Sequence, residues 1–235
     1  MIEMKKSIFV VGDLHGCKEN LDEVLKSWNR ETEQLILLGD LIDRGPDSLG
    51  CILTAMKLQE EYGAIILKGN HEAMFLQWLD MPHSYAESYF RNGGRETLST
   101  FLPGYEFKYL TEVADYIKRE FSREVEFLRN LPLYHETDSH IFVHAGVNLI
   151  LQDWRMSGED DLLWIREPFH KRKNKTGKII VFGHTPTPYL HHDDNNCDVW
   201  ISPCKTKIGI DGGAVFGGYL HALKISETET LRFSA

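Results

Sequence analysis

Apolar positions along this chain alternate between two spacings. Residues 7–11 and 34–38 are short, almost unbroken apolar runs, each followed by Gly-Asp, as expected for strands buried on both faces. Between them Leu21, Val24, Leu25 and Trp28 fall at i, i+3, i+4 and i+7, one stripe of an amphipathic helix. Pro46-Asp47-Ser48 offers a cap for a second helix carrying Leu49, Ile52, Leu53 and Met56. Residues 64–67 read as a third strand and 71–79 as a third helix. Strand, helix, strand, helix, strand predicts parallel neighbours in a sheet with helices packed on it.

Residues 80–135 break that rhythm. They are polar and aromatic, with helical spacing at Val113, Ile117, Phe121 and Val125, and predict a helical insert over one rim of the sheet without a strand. Strands return at 141–143, 179–182, 207–210, 220–225 and 230–233, while 185–206, rich in Pro, His, Asp and Asn, reads as a loop over the cleft. The fold class expected is α/β: a sandwich of two sheets with helices on the outer faces. With about 100–200 residues in a typical domain, residues 1–235 are expected to form a single one.

Composition narrows the partners. Hydrophobic residues make up 42% and 19 glycines bring the share to about half, so disorder and fibrous repeats are excluded. The net charge of −9 argues against a nucleic-acid duplex as partner unless positive charge is gathered locally. No apolar run approaches the roughly 20 residues of a membrane span, so no membrane partner is expected. The start of the chain lacks the apolar core and cleavage site of a secretion signal, and four cysteines are too few for a disulfide framework. A reduced, cytoplasmic setting is expected, in which the sequon Asn174-Lys175-Thr176 would carry no meaning.

Chemistry collects just past the strands. The first three lead into Gly12-Asp13-Leu14-His15-Gly16, Gly39-Asp40-Leu41-Ile42-Asp43-Arg44-Gly45 and Gly69-Asn70-His71-Glu72. Later ones lead into Val143-His144-Ala145-Gly146 and Gly183-His184-Thr185-Pro186. Open α/β sheets bind ligands beyond the carboxyl ends of their strands, so the five groups are expected to converge. Asp13, His15, Asp40, Asn70, His144 and His184 are oxygen and imidazole donors without a thiolate, a set suited to Mn²⁺, Fe or Zn²⁺ rather than Ca²⁺. Taken singly, each group reads as a turn, a loop histidine or a helix cap. Turn chemistry gives no reason for five of them in order.

These motifs resemble the metal-dependent phosphoprotein phosphatases of the calcineurin-like metallophosphoesterase superfamily. Leu162-Leu163-Trp164-Ile165-Arg166-Glu167, Asn92-Gly93-Gly94 and Asp211-Gly212-Gly213-Ala214-Val215-Phe216 look most like the bacterial and phage members. The resemblance implies an αββα sandwich and two divalent ions, manganese ahead of iron or zinc. One would be bound by Asp13, His15 and Asp40, the other by Asp40, Asn70, His144 and His184. It implies His71 as general acid with Asp43 paired to it, and Arg44, Arg166 and Asn70 on the substrate phosphate. The activity implied is hydrolysis of phosphoserine and phosphothreonine in proteins or peptides, with small phosphoesters as further substrates. Symmetrical dinucleoside polyphosphate hydrolysis is the alternative, and a scaffold that has lost its chemistry would be expected to lack one of these residues.

Other candidates carry less. Cys17 follows the first motif, close to the expected site, and reads as structural or incidental. Cys197 and Cys204 beside His191, His192, Asp193 and Asp194 match no defensible metal spacing and read as a solvated loop over the cleft. Trp154, Trp164 and Trp200 read as packing residues, Asp211 as a hydrogen-bonding support for the metal donors, and Glu72 as a helix cap or a support of the same kind.

Overall fold

The computed structural model describes residues 7–105, 108–226 and 229–235. The first part follows the alternating pattern: β1 (Ser7–Val11), α1 (Lys18–Val24), β2 (Glu33–Leu37), α2 (Ser48–Tyr62), β3 (Ile65–Ile66) and α3 (Asn70–Asp80). Asp47 caps α2 by accepting from the Gly50 amide at 2.9 Å, and Gly63, at φ +67°, ends it. The stripe through Trp28 is not one helix. A 3₁₀ turn at Leu25–Ser27 follows α1, and Trp28 lies beyond it, buried, with its indole N–H donated to the Glu33 carbonyl.

The insert holds α4 (Pro82–Arg91), α5 (Gly94–Phe101), α6 (Leu110–Glu120) and α7 (Ser122–Arg129). It is not free of strand, because β4 (Tyr134–Glu136) begins at its end; three residues, Tyr-His-Glu, are too few to show a period. Then come β5 (His140–Val143), α8 (Glu159–Trp164), α9 (Glu167–His170) and β6 (Ile179–Phe182). The segment 185–206 is more than a loop: it forms α10 (Thr187–His191), started by Pro186 and Pro188, and β7 (Trp200–Ile201). The chain closes with β8 (Lys207–Gly209), β9 (Asp211–Gly212), β10 (Tyr219–Ile225) and β11 (Thr230–Ser234).

One sheet runs β11-β10-β1-β2-β3, with β9 added on β10; the other runs β4-β5-β6-β8-β7. β1, β2 and β3 are parallel, as are β5, β6 and β8. The final pair joins the first sheet antiparallel, through Val10 opposite Leu223. Alternate residues on β1 and β2 face opposite ways. Val10 and Ile36 pack against Phe142, Val181 and Ile208 of the second sheet, whereas Phe9, Val11, Leu35 and Leu37 pack under the helices of the first. Ile141, Val143, Ile180 and Phe182 turn outward onto Trp154, Leu162 and Phe169. The layers are therefore helix, sheet, sheet, helix, and both sets of parallel strands end at one edge.

Among the described residues no helix is long and apolar enough to cross a membrane. The Asn174 amide is used internally, donating to the Lys178 and Thr206 carbonyls at 2.8 and 3.0 Å.

Candidate active site

The turns beyond the strands are bent hard. Five of the seven non-glycine residues with positive φ among the described residues are His15, Asp40, Asp43, Arg44 and His184. Such geometry costs free energy and persists where the surroundings enforce it. Glycines make the crowding possible: a Cβ on Gly69 would lie 2.1 Å from Asp40 Oδ1, and one on Gly183 would lie 1.9 Å from Asp13 Oδ1.

Asp40 stands at the middle. Its Oδ1 accepts from the His71 amide at 3.0 Å and is 3.4 Å from His144 Nε2, while its Oδ2 is 3.5 Å from His15 Nε2. Burial opposes its ionisation, but His144, His71 and His15 outweigh that and hold its carboxyl well below the usual range. The Asp40 backbone is held too. Glu72, fully buried, accepts from the amides of Asp40, Leu41 and Gly69 at 2.9, 2.8 and 2.8 Å, so it caps α3 and fastens the second turn at once.

Among the described residues, two groupings of buried side chains could hold a cation: His15, Asp40 and His71, and Asp40, His144 and His184. Asn70 joins the second, its Oδ1 lying 2.9 Å from both His144 Nε2 and His184 Nδ1. Asp13 belongs to neither trio and reaches the site from the side, where its Oδ2 accepts from the His184 amide at 2.9 Å.

The donors fit divalent cations on three counts. Burial holds His15 near pKa 3 and His184 near 2, and lowers His144, so all three imidazoles are neutral, the state a metal needs. With His144 donating Nδ1–H to the Leu38 carbonyl at 3.0 Å, its Nε2 turns a lone pair toward the Asn70 oxygen, an opposition that a cation relieves. Asp13 Oδ1 and His184 Nε2 are buried with no hydrogen-bond partner among the described residues. Burial, then Asp211 and Asp40, push the Asp13 carboxyl up, a crowding of negative charge that a cation would offset.

His71 donates Nδ1–H to Asp43 Oδ2 at 2.7 Å. Burial works against its charged form, yet Asp40 and Asp43 together raise its pKa. Asp43 Oδ1 accepts from Tyr89 and Thr97 hydroxyls at 2.9 and 2.6 Å, and its amide donates to Ser48 and Thr97 at 3.0 and 2.9 Å. Tyr89 and Thr97 come from α4 and α5, so the insert buttresses the His71–Asp43 pair from below. Nothing in the spacing of the chain pointed to them.

Arg44 donates to His15 Nε2 at 2.5 Å, and its amide bonds the Gly93 carbonyl at 3.1 Å. A Cβ on Gly93 would meet the Arg44 amide at 2.6 Å, which accounts for the Asn92-Gly93-Gly94 motif. Arg166 Nη1 donates to Thr185 Oγ1 at 2.9 Å, another partner the sequence reading missed although it follows His184 directly. Both guanidiniums line a cavity of about 700 Å³ that runs on to Tyr189, Trp200 and Phe216. Asp211 lines it as well; it accepts from the Gly213 amide at 3.0 Å rather than from any of the six donors. Burial first, then Asp40, raises the Asp211 pKa to about 6.

The sequence profile of the calcineurin-like phosphoesterases matches residues 6–216. The chain belongs to that family. It is 32% identical to serine/threonine-protein phosphatase 1 of Salmonella typhimurium, over 94% of this chain and 92% of that one. It is 28% identical to an asymmetrical bis(5'-nucleosyl)-tetraphosphatase of Oceanobacillus iheyensis, over 94% and 90%. A solved serine/threonine phosphatase of Saccharomyces cerevisiae superposes with a TM-score of 0.62 at 14% identity, covering 99% of this chain and 81% of that one, a likeness of fold alone.

The phosphoesterase is thus a hydrolase whose buried His and Asp groups suit a dinuclear metal site of the family's kind. Its remaining candidates supply none of those donors. Cys204 is exposed and hydrogen-bonded with Ser202 and Thr206, and no cysteine belongs to either cation grouping among the described residues. Trp154 is buried packing, as expected, while Trp164 is 43% exposed with its ring edge-on to His184 at the mouth of the site.

Proposed function

We propose that this phosphoesterase hydrolyses phosphomonoesters of serine and threonine side chains in proteins. One divalent ion would sit with Asp13, His15 and Asp40, and a second with Asp40, Asn70, His144 and His184. Ions held there supply Lewis acidity and a nucleophilic water of lowered pKa. Arg44 and Arg166 bind the phosphate oxygens on which transition-state charge gathers. Asn70, with Oδ1 turned to the imidazoles, keeps its Nδ2 to donate to the same phosphate. His71 carries a proton on Nε2, its Nδ1–H fixed by Asp43, and delivers it to the departing alkoxide oxygen.

The observation that carries this reading is the buried His71–Asp43 pair at 2.7 Å. A serine or threonine alkoxide is strongly basic and cannot leave without a proton, whereas a phosphate expelled from an anhydride leaves unaided. A fully braced imidazolium acid therefore suits an alkyl monoester. The test is turnover of a phosphoserine peptide and of diadenosine tetraphosphate by one metal-loaded preparation. The peptide is expected to be the better substrate, and a ratio strongly favouring the nucleotide overturns the ranking.

Dinucleoside polyphosphate hydrolysis is the second reading. The aromatic walls at Tyr189, Trp200 and Phe216, beside two arginines, favour it, because a base could stack there while its phosphate chain meets the guanidiniums.

A further inference from the structure

Arg166 stands at the start of α9, a helix of four residues. A single turn does not hold itself in water, and its last carbonyls have no partners within the helix. The amides of Phe169 and His170 both donate to the Arg166 carbonyl at 2.9 Å, so wherever the turn goes, the Arg166 backbone goes with it.

The turn is tied down from the neighbouring sheet by Lys207 of β8. This side chain is buried, and its ammonium donates to the carbonyls of Phe169, His170 and Arg172 at 2.8, 2.6 and 2.8 Å. All three of its protons are used on the end of one turn, and no carboxylate among the described residues pairs with it. Phe169 completes the attachment. It is fully buried, its ring edge-on to Phe182 at 5.0 Å and so close to Gly146 that a Cβ there would come within 2.6 Å. A methionine would fill the same space without taking a charge out of water. The ammonium's contribution is the three carbonyls it gathers.

We propose that Lys207 is the positioning residue for Arg166: by clamping the end of α9 it fixes the backbone from which the guanidinium reaches the phosphate. Thr185 orients the side-chain end, and Lys207 holds the main-chain end. The assignment rests on the reading that Arg166 binds substrate phosphate. An anchor of this kind matters because a displacement of about 1 Å in a binding group can cost on the order of a hundredfold in rate.

The test is a double-mutant cycle on the metal-loaded enzyme, reading KM for an aryl phosphate and the inhibition constant of inorganic phosphate. Arg166→Ala and Lys207→Met are each expected to raise the inhibition constant about tenfold, while bound metal stays unchanged. The double variant is expected to match Arg166→Ala to within about twofold, since the anchor has nothing left to position. Lys207→Arg, which keeps charge and donors, should recover part of the loss. Should Lys207→Met fail to fold, Lys207→Gln run through the same cycle decides the matter. Independent, multiplying losses would overturn the proposal, as would a Lys207 variant with unaltered phosphate affinity beside a weakened Arg166→Ala. If Arg166→Ala itself leaves phosphate affinity intact, the reading of Arg166 as a phosphate ligand fails first and the anchor falls with it.

Discussion

The two sheets furnish the active site in opposite styles. On the side of β1, β2 and β3, the carboxylates behind the donors are satisfied by protein: Glu72 takes three amides, and Asp43 takes His71, Tyr89 and Thr97. On the side of β5 and β6, His144 turns a lone pair toward Asn70, and His184 Nε2 has no partner. The acid pair and its braces are complete as protein structure, while the imidazoles, like Asp13 Oδ1 beside them, are arranged for a cation.

Asp40 belongs to both halves, so altering it should break the comparison most severely. Asp40→Asn removes the charge shared by both cation groupings, and both bound-metal content and turnover are expected to collapse, turnover by roughly 10³-fold or more. Elemental analysis alongside kinetics checks it, and full occupancy of two ions in the variant would remove the shared role. His71→Asn separates the halves more cleanly. With Asp13, His15 and Asp40 as the first ion's proposed donors and His71 outside that set, metal content should stay intact while turnover of an alkyl phosphomonoester falls by roughly 10²–10⁴. The loss on an aryl phosphate should be smaller, because its leaving group needs less protonation; equal losses on both would deny His71 the acid's role.

How much of this the sequence disclosed differs between the same two sets of residues. The donors were legible because each follows a short apolar run and sits beside glycine, as Gly69 beside Asn70 and Gly183 beside His184 show, where a side chain would strike Asp40 or Asp13. Their supports were not. Tyr89 and Thr97 lie 46 and 54 residues from the Asp43 they bond, inside a segment whose helical spacing says only that it packs. Lys207 looks in sequence like one more surface lysine, and only the fold places Phe169, His170 and Arg172 against it. β4 and β7, three and two residues long, have no period to read. Motif chemistry is local, whereas bracing is made by tertiary contact.

The acid pair also carries a pH signature. The raised pKa of His71 keeps the imidazolium populated beyond the ordinary histidine range near 6.5, so turnover of an alkyl monoester should persist there and fall on a limb displaced upward. Bound cations would compensate Asp40, leaving Asp43 as the partner that sustains the shift. Asp43→Asn is therefore expected to move the alkaline limb of kcat to lower pH, and a limb that stays in place would show that Asp43 does not hold the proton on His71. By linkage, the His71–Asp43 contribution to stability is present below about pH 6.5 and is lost as pH rises through the folded-state value.

The smallest effects compare single braces, one from each half. Asp43 Oδ1 receives two hydroxyls, so Tyr89→Phe leaves Thr97 bound to the same oxygen, and His71 stays on Oδ2. A loss of about 1 kcal/mol is expected, near 2–4 °C in Tm for a chain of this size, with kcat reduced by less than about threefold. Among the described residues the Arg166 guanidinium has one protein hydrogen bond, to Thr185, so Thr185→Val removes it. That variant should raise KM several-fold while costing less in Tm than Tyr89→Phe, because the freed guanidinium is only partly buried and can turn to water. Thermal unfolding and steady-state kinetics on the two variants decide it. If Tyr89→Phe damaged catalysis more than Thr185→Val, the acid half would depend on a single brace, and the contrast between a redundantly held half and a sparsely held one would be lost.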